Sequence, residues 1–195
     1  RGALGTSAAA HADGATVTDA TDFSGWGTAL PANQTTLEPG LWSLDNFGEV
    51  LIATIANGET FTWNPSASNR LTVRASKSTS GFATSNNPTA SRITLISPTA
   101  RHLIHLGTET TIGTTSTQDD MFIRFSVQED INTFTPTSTN TAGTLRLQDG
   151  TKIVGALKAK ESILVFTDNA LYTMKYIGSP FYFGVEQVGT NCGLI

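Results

Sequence analysis

The sequence predicts an all-β chain built of antiparallel hairpins, and three observations predict it. First, short runs rich in Val, Ile, Thr, Phe and Tyr recur with Gly, Asn, Asp or Pro between them, and no segment holds a helical period. Second, charged residues are only 14 % of the 195, well below the roughly 25 % of an ordinary domain. Thr, Ser, Asn and Gly take their place, and these favour strands (Thr) and turns (the rest). Third, one hairpin is written twice. LIATIANGETFTWN and ILVFTDNALYTMK align with one gap, so Leu51, Ile52 and Ala53 match Ile163, Leu164 and Val165. Asn57 then matches Asn169, and residues 60–63 (TFTW) match 171–174 (LYTM).

Taken in order, residues 1–35 are rich in Gly, Ala and Thr without a period, and read as an irregular N-terminal arm or loop. Trp26, between Gly25 and Gly27, is the expected anchor of that arm. From 36 to 195 the pattern is that of strands. The apolar run 50–55, then Asn57-Gly58, then the alternating run 60–63 predict a hairpin with both central turn residues at positive φ. Residues 67–76 and 91–98 read as two further strands, and 100–108 as another. The polar stretch 109–118 connects to a strand within 119–130. There Met121, Ile123 and Phe125 share one face, and Phe122, Arg124 and Ser126 the other. Residues 144–158 predict a hairpin around Asp149-Gly150, and 161–184 a second one around Asp168-Asn169.

Many short strands with frequent turns mean a sandwich, barrel or propeller. The internal self-similarity favours blades of roughly 40–50 residues. Three or four such units fit after residue 36, too few to close a typical propeller. The expectation is a partial β-propeller. The chain begins at Arg1 without Met and stops after Asn191-Cys192-Gly193-Leu194-Ile195, so it is expected to be a fragment of a longer polypeptide or a processed one.

The net charge of −4 excludes a basic nucleic-acid-binding domain of the usual kind. Residues 1–66 hold seven acids against Arg1 alone, and the remainder nine acids against eleven bases. Such asymmetry repels DNA or meets a basic partner, and it equally describes solvated loops. The single cysteine, Cys192, excludes an internal disulfide and a cysteine-based zinc site, and points to a reducing compartment. No apolar run is long enough for a membrane helix, and no signal peptide is visible.

No phosphate-binding loop, dinucleotide fingerprint, zinc-protease or serine-hydrolase motif occurs, so no catalytic, cofactor or metal residue is assigned. His102 and His105, three apart in one expected strand, point to opposite faces and read as structural. Asp119-Asp120 and Glu129-Asp130 flank a strand, and adjacent acids alternate faces, so they read as loop acids rather than a glycosidase pair or a Ca²⁺ loop. Asn33-Gln34-Thr35 fits the glycosylation pattern without a secretion signal to support it. Tyr172, Tyr176, Phe181, Tyr182 and Phe183, near Lys175, offer stacking surfaces for single strands, and fit better as the core and rim of a β-unit.

Three stretches, GLWSLDNFGEVLIA (40–53), DMFIRFSVQEDINTFTPTSTNTAG (120–143) and ILVFTDNALYTMKYIGSPFYFGVEQVGTNCGLI (163–195), carry a family resemblance. They resemble the β-propeller part of the tail hub or nozzle proteins of short-tailed bacteriophages, a group that includes tail tubular protein B and the packaged-DNA stabilisation proteins. The resemblance implies a virion structural protein, made in the host cytoplasm and located in the tail. It implies a homo-oligomeric ring, commonly six-fold, that meets the tail adaptor and tail fibre proteins. Viral DNA would be retained by it and conducted through it during ejection, without sequence-specific contact. The family carries no catalytic residues or cofactor, and its members are much longer than this chain. An acidic or neutral wall suits such a conduit, because phosphate contacts add affinity that slows sliding. Two other classes compete. A carbohydrate-binding or receptor-recognition propeller would use Trp26, Trp42 and Trp63, and a propeller glycosidase would need two carboxyl groups facing one pocket.

Overall fold

The computed structural model describes residues 9–10, 16–17, 41–65, 75–77 and 87–194. The chain divides into two units, Arg1–Leu41 and Trp42–Ile195. In the first, β1 (Ala9–Ala10) and β2 (Thr16–Val17) form an antiparallel ribbon with Ala9 opposite Val17. Trp26, Asn33 and most of the expected strand 67–76 lie outside the described residues.

The second unit is all-β. Its first sheet runs in chain order: β3 (Trp42–Phe47), β4 (Val50–Ile55), β5 (Thr60–Trp63) and β6 (Ser76–Lys77). The second sheet contains β7 (Ser91–Ile96), β8 (Leu103–Thr108), β9 (Phe122–Phe125) and β10 (Gly143–Arg146). The third contains β11 (Ile153–Lys158), β12 (Ser162–Thr167), β13 (Ala170–Gly178) and β14 (Tyr182–Thr190). Each sheet is antiparallel, and each strand pairs with its neighbours in sequence. Hairpin connections alone produce this order. A 3-10 turn at Thr115–Thr117 lies in the β8–β9 connection, and no helix among the described residues is long and apolar enough to cross a membrane.

The written-twice hairpin occupies the same place in two sheets. In the first, Leu51, Ile52 and Ala53 stand opposite Trp63, Thr62 and Phe61. In the third, Ile163, Leu164 and Val165 stand opposite Met174, Thr173 and Tyr172. The sequence alignment is thus also an alignment of register.

Three details differ from the sequence reading. β3 forms a hairpin with β4 through Gly48-Glu49, with Gly48 at φ +63. The next turn puts only Asn57 at positive φ, +60, and closes by the Gly58 N–H donating to Ile55 O at 2.9 Å. Gly58 is needed there for space, because a Cβ would fall 2.5 Å from Ile55 Cγ2. The expected hairpin around Asp149-Gly150 does not form. β10 pairs with β9 and β11 with β12, so this segment is the crossover between sheets. Its turn chemistry is real, with Gly150 at φ +120, but turn residues do not say whether the flanking strands pair with each other.

The second sheet is covered on both faces. On one, Ile104, Leu106, Met121, Ile123, Phe125 and Leu147 pack against Ile153, Ile163, Val165, Tyr172, Met174 and Phe183 of the third. On the other, Leu103, Ile96 and Phe134 pack against Ile52 with Phe47 and Val50. Alternation along β8 sends Ile104 and Leu106 to one core and Leu103 to the other. Removing one fully buried side chain of this kind, as in Ile123→Ala, costs about 2–5 kcal/mol.

Candidate functional site

The edge strands β3, β7 and β11 come together along a polar seam. β7 is the edge of its sheet, and its outward N–H groups need acceptors. Side chains of β3 supply them: Ser43 Oγ accepts from Thr94 N–H at 3.0 Å, and Asp45 Oδ2 accepts from Ile96 N–H at 2.7 Å. Lys158, at the end of β11, donates to both Asp45 oxygens at 2.6 and 2.7 Å. On its other side β7 reaches β11, where Arg92 Nε donates to Ile153 O at 3.0 Å. A buried hydroxyl chain crosses the first two sheets, from Thr94 Oγ1 to Thr54 at 2.8 Å and from Thr54 to Thr60 at 2.7 Å. Part of the threonine content therefore serves as internal hydrogen-bonding chemistry as well as strand propensity.

The two histidines lie on opposite faces of the second sheet. His102, just before β8, is fully buried, and its Nδ1 donates to Ser126 O at 2.7 Å. Its ring meets Phe125 and Phe183 edge-on, and Nε2 has no hydrogen-bond partner. Burial lowers the His102 pKa, opposed by the Ser126 bond and the Glu129 charge. His105 meets Phe134 edge-on at 4.9 Å and shares a 2.6 Å hydrogen bond with Ser91 Oγ. Ser91 donates to Thr108 Oγ1, which donates to Ala90 O, so the chain runs in one direction when His105 Nδ1–H donates. Full burial, with the Arg124 charge beside it, pushes the His105 pKa down to about 3.

Arg124 and Glu109 are buried, which the sequence did not signal, because an arginine at an alternating strand position reads as solvent-facing. Arg124 donates to the carbonyls of Thr110 (2.8 Å), Glu109 and Phe134. Burial lowers its pKa, and the Glu109 carboxylate opposes that shift. Glu109 accepts from Gly113 N–H at 2.7 Å and from the Thr89 hydroxyl.

The paired acids are tied down separately. Asp119 accepts from Arg146 Nε at 2.7 Å and Met121 N–H at 2.9 Å. Burial raises its pKa, but these donors outweigh it and hold the carboxyl below the usual range. Asp120 pairs with Arg92 at 3.3 Å, and Glu129 with Arg101 at 3.2 Å. Asp130 accepts from Asn132 N–H. In the β12–β13 turn, the Thr151 hydroxyl and N–H hold the Asp168 pKa low. Among the described residues no three His, Cys, Asp or Glu side chains gather in a metal-binding arrangement.

Among the described residues, two of the surface clefts bear on function. One, lined by Asn57, Arg92, Gln118, Asp119, Asp120 and Thr151, is charged. The other, about 520 Å³, opens between the 135–143 segment and the β13–β14 turn. Of the five aromatics read as core and rim, Tyr172 and Phe183 are core, Tyr176 and Tyr182 are half-buried, and Phe181 is 74 % exposed at the mouth of this cleft. Tyr182 has φ +55, and the Phe183 N–H donates back to Phe181 O at 2.6 Å. A bulky side chain in this region is strained by about 1–3 kcal/mol. Trp42 stands half-exposed against Phe61 with ring centres 5.7 Å apart, and neither it nor Trp63 lines either cleft.

The class defined by these features is an all-β module whose buried and paired titratable groups hold strands and sheets together. No protein-family model matches the chain, and a search of curated proteins finds no match.

Proposed function

We propose that the chain is a virion structural protein, a component of the tail hub or nozzle of a short-tailed bacteriophage, with its three sheets as successive blades of a β-propeller. The observation that carries the reading is the repeated four-strand unit, in chain order, with the same register in the first and third sheets. Blades of a propeller have this organisation. The three stretches of family resemblance support it from their positions: 40–53 covers β3 and most of β4, 120–143 runs from β9 into the loop after it, and 163–195 covers most of the third sheet. The gathered edge strands β3, β7 and β11 fit inner strands near a common axis. The outer sheets keep Leu44 and Leu157 exposed, as end blades of an unclosed set would.

In this reading the protein acts by shape and stiffness. Copies form a ring, six-fold as in the family it resembles, that meets adaptor and fibre proteins and passes DNA without reading its sequence. The reading includes no enzymatic step, and the acids a hydrolase would use are held by Arg146 and Arg92. The test is location. Antibody raised against residues 42–194 is expected to label the tail of purified particles, whose peptides include this sequence by mass spectrometry. Label on the capsid, or absence of the peptides from particles, would refute the proposal.

A further inference from the structure

The uncharged cleft has the chemistry of a sugar site. Its two walls differ in kind. Thr137 and Ser138, which carry hydroxyls, line one side, while Ile177, Pro180 and Phe181 line the other with apolar surface. The hydroxyl wall is held in shape by Asn140, whose Oδ1 accepts from the N–H groups of Thr137 and Ala142 and whose Nδ2 donates to Thr135 O.

The apolar wall is built by two departures from regular pairing. Tyr176 stands opposite Phe183 and Gly178 opposite Tyr182, so Ile177 is an extra residue, turned outward and 59 % exposed. Bulges re-aim side chains in this way. The strained turn at Tyr182 then places Phe181 at the rim. The floor is kept low by glycine. A Cβ on Gly143 would fall 2.3 Å from the Phe125 ring, and one on Gly184 would meet Ile177 at 3.4 Å.

Among the described residues, no Asp, Glu, Lys, Arg or His lines the cleft. That argues against phosphate, nucleic-acid backbone and acidic or basic peptides, which need charge partners. A cleft with one apolar aromatic wall and one hydroxyl wall matches a pyranose, whose ring face is C–H and whose edge is hydroxyl. Binding sites generally combine apolar lining with a few polar groups that fix orientation.

We propose that this cleft binds a neutral glycan, with Phe181 as the platform for a sugar ring and the Thr137 and Ser138 hydroxyls as its hydrogen-bonding wall. This assigns sugar recognition to the third sheet's outer hairpin instead of the tryptophans. It stands independently of the nozzle reading.

The experiment uses the full chain on an array of neutral and charged glycans that includes bacterial surface polysaccharides. Saturation-transfer NMR on the hits then reports which sugar protons touch the protein. Neutral glycans are expected to bind. Phe181→Ala is expected to weaken them by roughly tenfold or more, and Ser138→Arg to block them by filling the cleft. Both positions are exposed, so both variants should keep the parent melting temperature, which is measured alongside. Four results would overturn the proposal. They are no binding by any neutral glycan, binding unchanged in both variants, a preference for charged glycans, or saturation transfer to bound sugar that does not involve Phe181.

Discussion

Acid should unfold this protein through His105. The ring is buried and neutral, with a folded pKa near 3 against an ordinary value of 6.5. Well above 6.5, by about pH 8, the histidine is neutral in both states and pH does nothing through it. Below 6.5 the unfolded chain takes a proton that the folded chain refuses, so stability falls as pH falls, until the folded value is reached. Each pH unit in that window costs about 1.4 kcal/mol. Between pH 8 and about pH 4.5 the loss is therefore about 2.7 kcal/mol. Because pH 4.5 lies above the folded value, this loss depends on the unfolded pKa and the chosen pH, and little on how far below 4.5 the folded value sits.

The assay is urea unfolding at the two pH values, for the parent and for His105→Asn. Asparagine keeps a donor near Nδ1 and cannot titrate. It leaves space beside Phe134 and lowers stability at both pH values, so the quantity read is the difference between pH values within each protein. The parent should lose about 2.7 kcal/mol more than the variant over that span. Equal losses would refute the argument and mean that the His105 site takes a proton without cost. His102 adds a loss of the same sign, because burial also lowers its pKa, and the comparison at position 105 cancels it.

Other perturbations test separate parts of the structure. Gly143→Ala places a methyl against the Phe125 ring and should cost about 1–3 kcal/mol, read as a lower urea midpoint. Asp45→Ala strips the Ile96 N–H of its acceptor and Lys158 of its partner, and should cost about 1–3 kcal/mol. Lys158→Ala breaks only the more exposed ion pair, so it should cost under about 1 kcal/mol. Equal effects of these two variants on thermal unfolding would mean that the edge of β7 does not rely on Asp45. Removing residues 1–35 should weaken ring assembly, followed by light scattering, and leave the melting temperature of the sheets in place. Intact rings with a lowered melting temperature would contradict that.

Much of the strand pattern was readable because its apolar residues obey simple alternation. The 50–55 and 60–63 strands appear where the sequence puts them, and the repeated hairpin keeps its register. β3 was not readable because it inverts the usual rule. Trp42 and Leu44 face outward, while Ser43 and Asp45 face the neighbouring sheet and satisfy its edge. The Asp149-Gly150 turn was recognised, but its role as a crossover depends on contacts far away in sequence. Arg124 was placed on the correct alternate face, yet its burial arises from carbonyls of the 109–110 and 134 segments that fold over it. The glycan cleft had a weak signal in GSPFY, since a Phe beside Gly, Ser and Pro at a hairpin tip has little to bury against. Its hydroxyl wall comes from a segment some forty residues earlier, which no local pattern reveals.

The most direct test of the central claim is an electron cryo-microscopy reconstruction of the particle that carries this chain. The account predicts density for the three four-stranded sheets side by side as blades about a common axis, repeated in a ring on the tail around a central channel. A single copy, a peripheral fibre location, or sheets packed as a closed sandwich would contradict it.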